Sequence, residues 1–273
     1  MIWEVTKKDR RSFLVGTAHF FSHSFRSSLS RYIGGVRHVL VEGPLDRKSM
    51  DRVVASGFTA EGPHIFDSLD SKVIARVGEI VGDSNSFRKI PFIIMRSGRV
   101  EGAESIDDAL RGMKPWMAFF TLWHRFTGKL GWTHSVDMEA YTIAGEMGKA
   151  VIPLETIEEQ IAVLDGIPRE RVVECINRID EWETYARDYS HHYLAGDLDN
   201  LTSVPGRFPT LRYAVTGERD RILCERMRQY LEGGDAIAFV GAPHISGINE
   251  LLRRDGFRST SVVQLQGREP DED

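Results

Sequence analysis

Two short apolar runs, each ending in glycine with a histidine three residues later, constrain this chain more than any other feature. Phe13-Leu14-Val15 leads into Gly16-Thr17-Ala18-His19, and near the other end Ile237-Ala238-Phe239-Val240 leads into Gly241-Ala242-Pro243-His244. Short apolar runs bounded by turn residues read as buried strands. Glycine suits a sharp strand exit because it has no Cβ to penalise unusual backbone angles. Each histidine then stands beyond the carboxyl end of its strand, where open α/β sheets keep their ligands. The two imidazoles can meet only if those strands lie side by side.

The rest of the chain supplies the frame. Residues 2–6 and 12–16 read as the arms of a strand or hairpin, with Lys7–Arg10 as the turn. Phe25, Leu29 and Ile33 predict a helix over Ser24–Gly34, capped by Ser22 or Ser24 and stopped at Gly34-Gly35. A strand at Val36–Val41 closes this unit, and strand, helix, strand is what a right-handed crossover needs. Glu42 follows that strand, on the same rim as His19. Helices are predicted over Leu45–Val54, Ile65–Val81, Ser105–Leu110 and the aromatic segment Trp116–Trp123, with a break near Pro115. The apolar run Pro91–Met95 fits a strand or a helical turn. Thr133–Gly148 reads as a helix with Val136, Ala140, Ile143, Ala144 and Met147 inward, and the strand Ala150–Leu154 brings Glu155 to a third strand end. Helices over Ile157–Leu164, Arg169–Tyr185, Asp188–Asn200 and Arg212–Leu231 complete the middle. Strand Ala236–Val240, helix Ile248–Arg254 and strand Ser259–Leu265 then repeat the opening order. The expected fold class is α/β: one domain over residues 1–273, with a central mixed or parallel sheet built from two strand-(Gly-x-x-His)-helix-strand halves. Residues 45–232 form its helical middle section.

Composition removes several function classes. A net charge of -5 gives no reason to expect nucleic acid as a partner. No run of about 20 apolar residues is present, so no membrane span is expected. Cys175 and Cys224 are isolated and form no CxxC, which suggests reduced thiols; with no signal-like apolar run, a cytoplasmic location is expected. No GxSxG or GxxxxGK[ST] segment occurs, which argues against serine hydrolase and phosphate-loop chemistry. Trp116–Trp123 reads as a buried or partner-facing helix, with an aromatic lid as the alternative; if exposed, it would make a homodimer plausible.

Neutral imidazoles with a carboxylate are the ligand set of hydrolytic metal sites that keep a position open for water. His19, His244 and Glu42 would supply that set for manganese, cobalt or zinc, since such ligands accept several first-row metals. Bound water would become a hydroxide nucleophile near neutral pH. Arg219 could stabilise the developing oxyanion, and Glu155 could act as general base or further ligand. The structural alternatives are loop histidines, a helix N-terminal carboxylate at Glu42 and a surface ion pair of Arg219 with Glu218 or Asp220. The remaining histidines, His23, His38, His64, His124, His134, His191 and His192, lack ligand spacing and read as solvated or structural.

Taken together, Gly16-Thr17-Ala18-His19, Glu42, Leu154-Glu155-Thr156 with Gln160, Gly217-Glu218-Arg219-Asp220, and Val240-Gly241-Ala242-Pro243-His244 with Gly247 resemble the TraB/GumN family, which groups with Tiki-like and erythromycin-esterase-like proteins. The resemblance implies a metalloprotease or related hydrolase acting on a peptide or protein, with His19, His244 and Glu42 at the centre and Arg219 in support. It leaves two alternatives: metal-independent ester hydrolysis in which a histidine activates water, and a non-catalytic protein that binds and sequesters peptides. The C-terminal membrane helices of some relatives have no counterpart in this sequence.

Overall fold

A computed structural model describes residues 1–59, 64–82, 106–203 and 217–263. The chain opens with strands β1 (Ile2–Lys7) and β2 (Arg10–Thr17), followed by helix α1 (Arg26–Gly34) and strand β3 (His38–Val41). Helices α2 (Arg47–Ser56), α3 (Ser71–Val81), α4 (Ile106–Leu110), α5 (Pro115–Lys129) and α6 (Val136–Glu146) lead to the short strand β4 (Val151–Pro153). Then come α7 (Ile157–Asp165), α8 (Arg169–Asn177), α9 (Trp182–Ala195), α10 (Leu198–Ser203) and α11 (Gly217–Gly233). Strand β5 (Ala236–Gly241), helix α12 (Ile245–Arg254) and strand β6 (Arg258–Val263) close the described chain.

The strands form one mixed sheet in the order β4-β3-β5-β2-β1-β6. β1 and β2 are an antiparallel hairpin whose two-residue turn puts Lys8 and Asp9 at φ 47° and 61°. Two consecutive positive φ values match the right-handed twist of the arms, as in type I′ hairpins. β2, β5, β3 and β4 run parallel, and Gly16 pairs with Val240 and Thr17 with Gly241. The two Gly-x-x-His strands are therefore neighbours in register, as convergence requires. β5 lies between β2 and β3, so each strand-helix-strand half spans other strands before rejoining the sheet.

Apolar residues on both faces of the central strands build the main core. Leu14, Val15, Val39, Leu40 and Ile237 to Val240 are almost fully buried beneath α1, α6, α11 and α12. At about 25 cal/mol per Å² of apolar surface, full burial of each such side chain contributes roughly 1.5–3 kcal/mol. A second apolar cluster joins α3, α5, α8 and α9 through Val77, Trp116, Phe119, Trp123, Ile176 and Trp182.

Several element boundaries differ from expectation for local reasons. Ile65–Val81 is a single-turn 3-10 segment, Ile65–Ser68, then α3, because Asp70 turns its carboxylate onto the Lys72 N–H and caps a new helix. Neither Ser22 nor Ser24 is the cap residue of α1; Phe25 is, and its N–H donates to Glu139 at 2.9 Å. The expected break between residues 185 and 188 is absent, since α9 runs through both and stops at Gly196 in the left-handed region. Met147, read as inward, is exposed. Trp116–Trp123 is neither lid nor surface. Trp116, Met117, Phe119, Leu122 and Trp123 are buried in the second cluster, which removes the exposed stretch on which the homodimer expectation rested. Pro91–Met95, residues 204–206, 212–216 and 264–273 lie outside the described residues. No described helix is long and apolar enough to cross a membrane.

Candidate functional site

The site is assembled from the carboxyl ends of four parallel strands. Beyond the β3–β4 pairing, the Leu154 N–H donates to the Val41 carbonyl and the Glu155 N–H to the Glu42 carbonyl, both at 2.8 Å. This continuation of the ladder sets Glu42 and Glu155 side by side. β5 closes the third side, where the Gly241 N–H donates to Glu42 Oε2 at 2.6 Å. Gly16 lets the end of β2 approach the turn after β5 and the start of α12: a Cβ there would lie 3.1 Å from Ile245 Cγ1 and 3.2 Å from Ala242 Cα. Tyr193 fixes the same strand end by donating its hydroxyl to the Gly16 carbonyl at 2.7 Å.

Arg219, near the start of α11, is the centre of this arrangement. Its Nε donates to Glu155 Oε1 and its Nη2 to Glu155 Oε2, each at 2.7 Å, a bidentate pair. The same Nη2 reaches Glu42 Oε1 at 2.5 Å, and Nη1 lies 3.1 Å from His244 Nε2. A guanidinium can only donate, so His244 accepts at Nε2 and carries its proton on Nδ1. That Nδ1 lies 2.6 Å from Asp220 Oδ1, and both side chains are buried. Arg219 is thus a part-buried clamp between two carboxylates and an imidazole rather than a surface partner of Glu218 or Asp220.

His19 forms the second histidine and aspartate pair. Its Nδ1 is 2.9 Å from Asp137 Oδ2, off the line of a well-directed hydrogen bond. Asp137 sits in the first turn of α6, which is tied to the His19 turn by the Val136 N–H donating to the Ala18 carbonyl at 3.1 Å. Unlike His244, the His19 side chain is 66% exposed. The Asp137 carboxylate raises the imidazole above its ordinary value, and contact with solvent at this exposed ring screens part of that attraction. Glu42 and Arg219 also act electrostatically on His19, so both imidazoles belong to one charge cluster.

Burial pushes the Glu42 carboxyl up. The positive charge beside it, on Arg219 and His19, together with the Gly241 N–H, outweighs this and holds it down at about 2. A carboxyl depressed on folding adds stability that is present above its unfolded value near 4.5 and is lost as pH falls through about 2. We expect Glu42 to contribute up to about 3 kcal/mol at pH 7 by this route. Urea unfolding of the wild type and Glu42→Gln should differ by that amount at pH 7 and converge between pH 4.5 and 2. A gap that persists at pH 2 would show that Glu42 is not held ionised by its neighbours.

All five sequence-derived residues, His19, Glu42, Glu155, Arg219 and His244, fall in this one cluster. Sequence reasoning missed the aspartates. Asp220 stands next to Arg219 and was readable as its neighbour, but nothing in the spacing of Asp137 links it to His19. The buried Thr17 hydroxyl on the same rim makes no hydrogen bond among the described residues. His64 caps the 3-10 turn and His134 pairs with Glu139, in keeping with structural roles.

As the side chains stand, Arg219 occupies the atoms of His244 and Glu42 that a metal would use. Among the described residues no three His, Cys, Asp or Glu side chains stand together so as to hold one ion. The Arg219 guanidinium already satisfies both His244 Nε2 and Glu42 Oε1.

Comparison with curated proteins and with solved structures gives no significant match. The family model described as the TraB/PrgY/gumN family matches residues 1–261, nearly the whole chain, and the protein belongs to that family.

Proposed function

We propose that the protein hydrolyses an acyl bond, with a peptide as the substrate of choice, and that His19 activates the attacking water. The observation that carries this reading is the solvent-facing His19 imidazole backed at Nδ1 by the buried Asp137. A small rotation of the neutral ring would turn Nδ1–H onto Asp137, 2.9 Å away, and leave the Nε2 lone pair to take a proton from water. The water oxygen bonds to the substrate carbonyl carbon, and Asp137 stabilises the imidazolium that forms. The imidazolium then returns the proton to the leaving amine as the carbon–nitrogen bond breaks. The Arg219 charge favours the oxyanion on the attacked carbonyl, while Glu155 and Glu42 hold the guanidinium in place.

Metal-dependent hydrolysis is the second reading. It is favoured by the tie of each imidazole's Nδ1 to an aspartate, the arrangement that orients metal-ligating histidines through their other nitrogen. His19, His244 and Glu42 would hold manganese, cobalt or zinc, and Arg219 would have to leave His244 and Glu42. Hydrolysis that survives exhaustive chelation supports water activation by His19. Activity lost on chelation and restored by one of these ions, with metal uptake abolished in His19→Ala and His244→Ala, supports the metal reading. A peptide bound tightly but recovered uncut overturns both in favour of sequestration.

For the first reading the rate should rise with pH as His19 loses its proton, with an apparent pKa above the ordinary 6.5. Asp137→Asn is expected to move that pKa down and lower kcat at least 100-fold, because the imidazolium loses its partner. A pH profile left unchanged by Asp137→Asn would exclude His19 as the base.

A further inference from the structure

A half-open cavity of about 400 Å³ lies beside the His19 turn. Phe20, the residue after His19, and Trp132 give it aromatic walls, while His124, Arg125, Lys129 and His134 give it basic ones. No aspartate or glutamate is among the described residues that line it. Cavity and catalytic turn share their framework. The Phe21 N–H donates to the His134 carbonyl at 2.9 Å, the His134 N–H returns to the Phe21 carbonyl at 3.1 Å, and the same segment continues to Asp137.

Contacts position three of these side chains. Lys129 donates to the Ile80 carbonyl at 2.8 Å, which holds its ammonium at the cavity wall with further donors remaining. His134 Nδ1 is 3.2 Å from Glu139 Oε1, and that carboxylate is also held by the Phe25 N–H through its other oxygen. The Phe20 ring packs on the His124 ring at 5.1 Å. A concave wall of one sign beside low-dielectric aromatic surface concentrates counter-charged ligands.

We propose that this cavity binds a carboxylate carried on an aromatic or aliphatic body, as at the free C-terminus of a peptide. This rests on the hydrolase reading and names its substrate class: bonds near an anionic chain end. Lys129 and Arg125 supply the charge that a carboxylate meets, and Phe20 and Trp132 take the adjoining side chain.

Three probes test this on the intact protein, read by the fluorescence of its tryptophans and by NMR titration: N-acetyl-phenylalanine, its neutral amide and phenyl phosphate. The acid is expected to bind at least tenfold more tightly than the amide. Lys129→Gln, an exposed change that spares the core, should reduce that preference several-fold, and Arg125→Gln should do the same. Equal binding of acid and amide overturns the proposal, as does acid binding unchanged by both variants. Tighter binding of phenyl phosphate than of the acid overturns the carboxylate assignment. The two readings fail separately. His19→Ala should bind the acid as the wild type does, even if no hydrolysis is found. Turnover without preference for a free C-terminus would keep the hydrolase and discard the cavity assignment.

Discussion

Arg219→Met is expected to destabilise the protein by about 3–5 kcal/mol and to eliminate the proposed hydrolysis, because it withdraws the cation between the buried Glu155 and the largely buried Glu42. The Glu155 side chain is 3% exposed and that of Glu42 is 12%, so neither can regain its hydration without opening the strand ends. Methionine replaces the stem of arginine at similar volume, which makes lost packing a minor contribution. The signature that separates charge from packing is pH. With the guanidinium gone, the adjacent carboxylates repel and one takes up a proton, so mild acid should recover part of the lost stability in the variant. Urea midpoints at pH 7 and pH 5 measure this directly. Arg219→Lys should recover only part of the loss, since a point charge cannot reproduce the bidentate contact with Glu155 and also reach Glu42 and His244. A cost below about 1 kcal/mol for Arg219→Met would mean that the clamp is not what holds these strand ends.

Gly247→Ala has the second-largest expected effect, and its sign is opposite to what helix propensity predicts. Gly247 lies in α12, where alanine ordinarily stabilises by roughly 1 kcal/mol. Here a Cβ would stand 2.0 Å from Asp220 Oδ2 and 2.9 Å from Asp220 Cγ. Asp220 is buried and bonded to His244, so its carboxylate can yield only by giving up that imidazole. We expect a net loss of about 1–3 kcal/mol, typical of overpacking, and a fall in kcat because a displaced His244 no longer accepts from Arg219 Nη1 and the guanidinium loses that positioning contact. The cost should vanish in an Asp220→Ala background, where the new methyl meets no carboxylate, and a double-mutant cycle gives that coupling. A stabilised, fully active Gly247→Ala would refute the assigned contact between α12 and α11.

The comparison of sequence with structure turns on which contacts are local. The strand end at Gly241, that at Thr17 one residue past Gly16, the carboxylate at Glu42 and the third strand end at Glu155 were legible because each is announced by a short apolar run and a terminator close to it. Boundaries failed where a side chain made a local hydrogen bond that periodicity does not register, as at Asp70. The inward face of α6 was assigned correctly up to Ala144, but Met147 lies past the helix end, where a 3.6-residue repeat no longer says which way a side chain points. The burial of Trp116 to Trp123, in keeping with the reading as a buried or partner-facing helix, depends on α3, α8 and α9 covering α5.

What the sequence determined by itself was the set of rim residues, since glycine exits and strand length are local properties that survive any arrangement of the strands. The tertiary structure decided what those residues do to one another. Parallel pairing of β2 with β5, far apart in the chain, brings His244 and His19 into one cluster. Extension of the β3–β4 ladder sets Glu42 against Glu155, and α11 then lays Arg219 between them. The aspartates behind the two imidazoles come from α6 and α11, packed against the sheet through side chains that carry no sequence signature of partnership. Whether a buried charge is clamped, paired or left for a ligand depends on distances of a few ångströms between such elements, and only folding sets those distances.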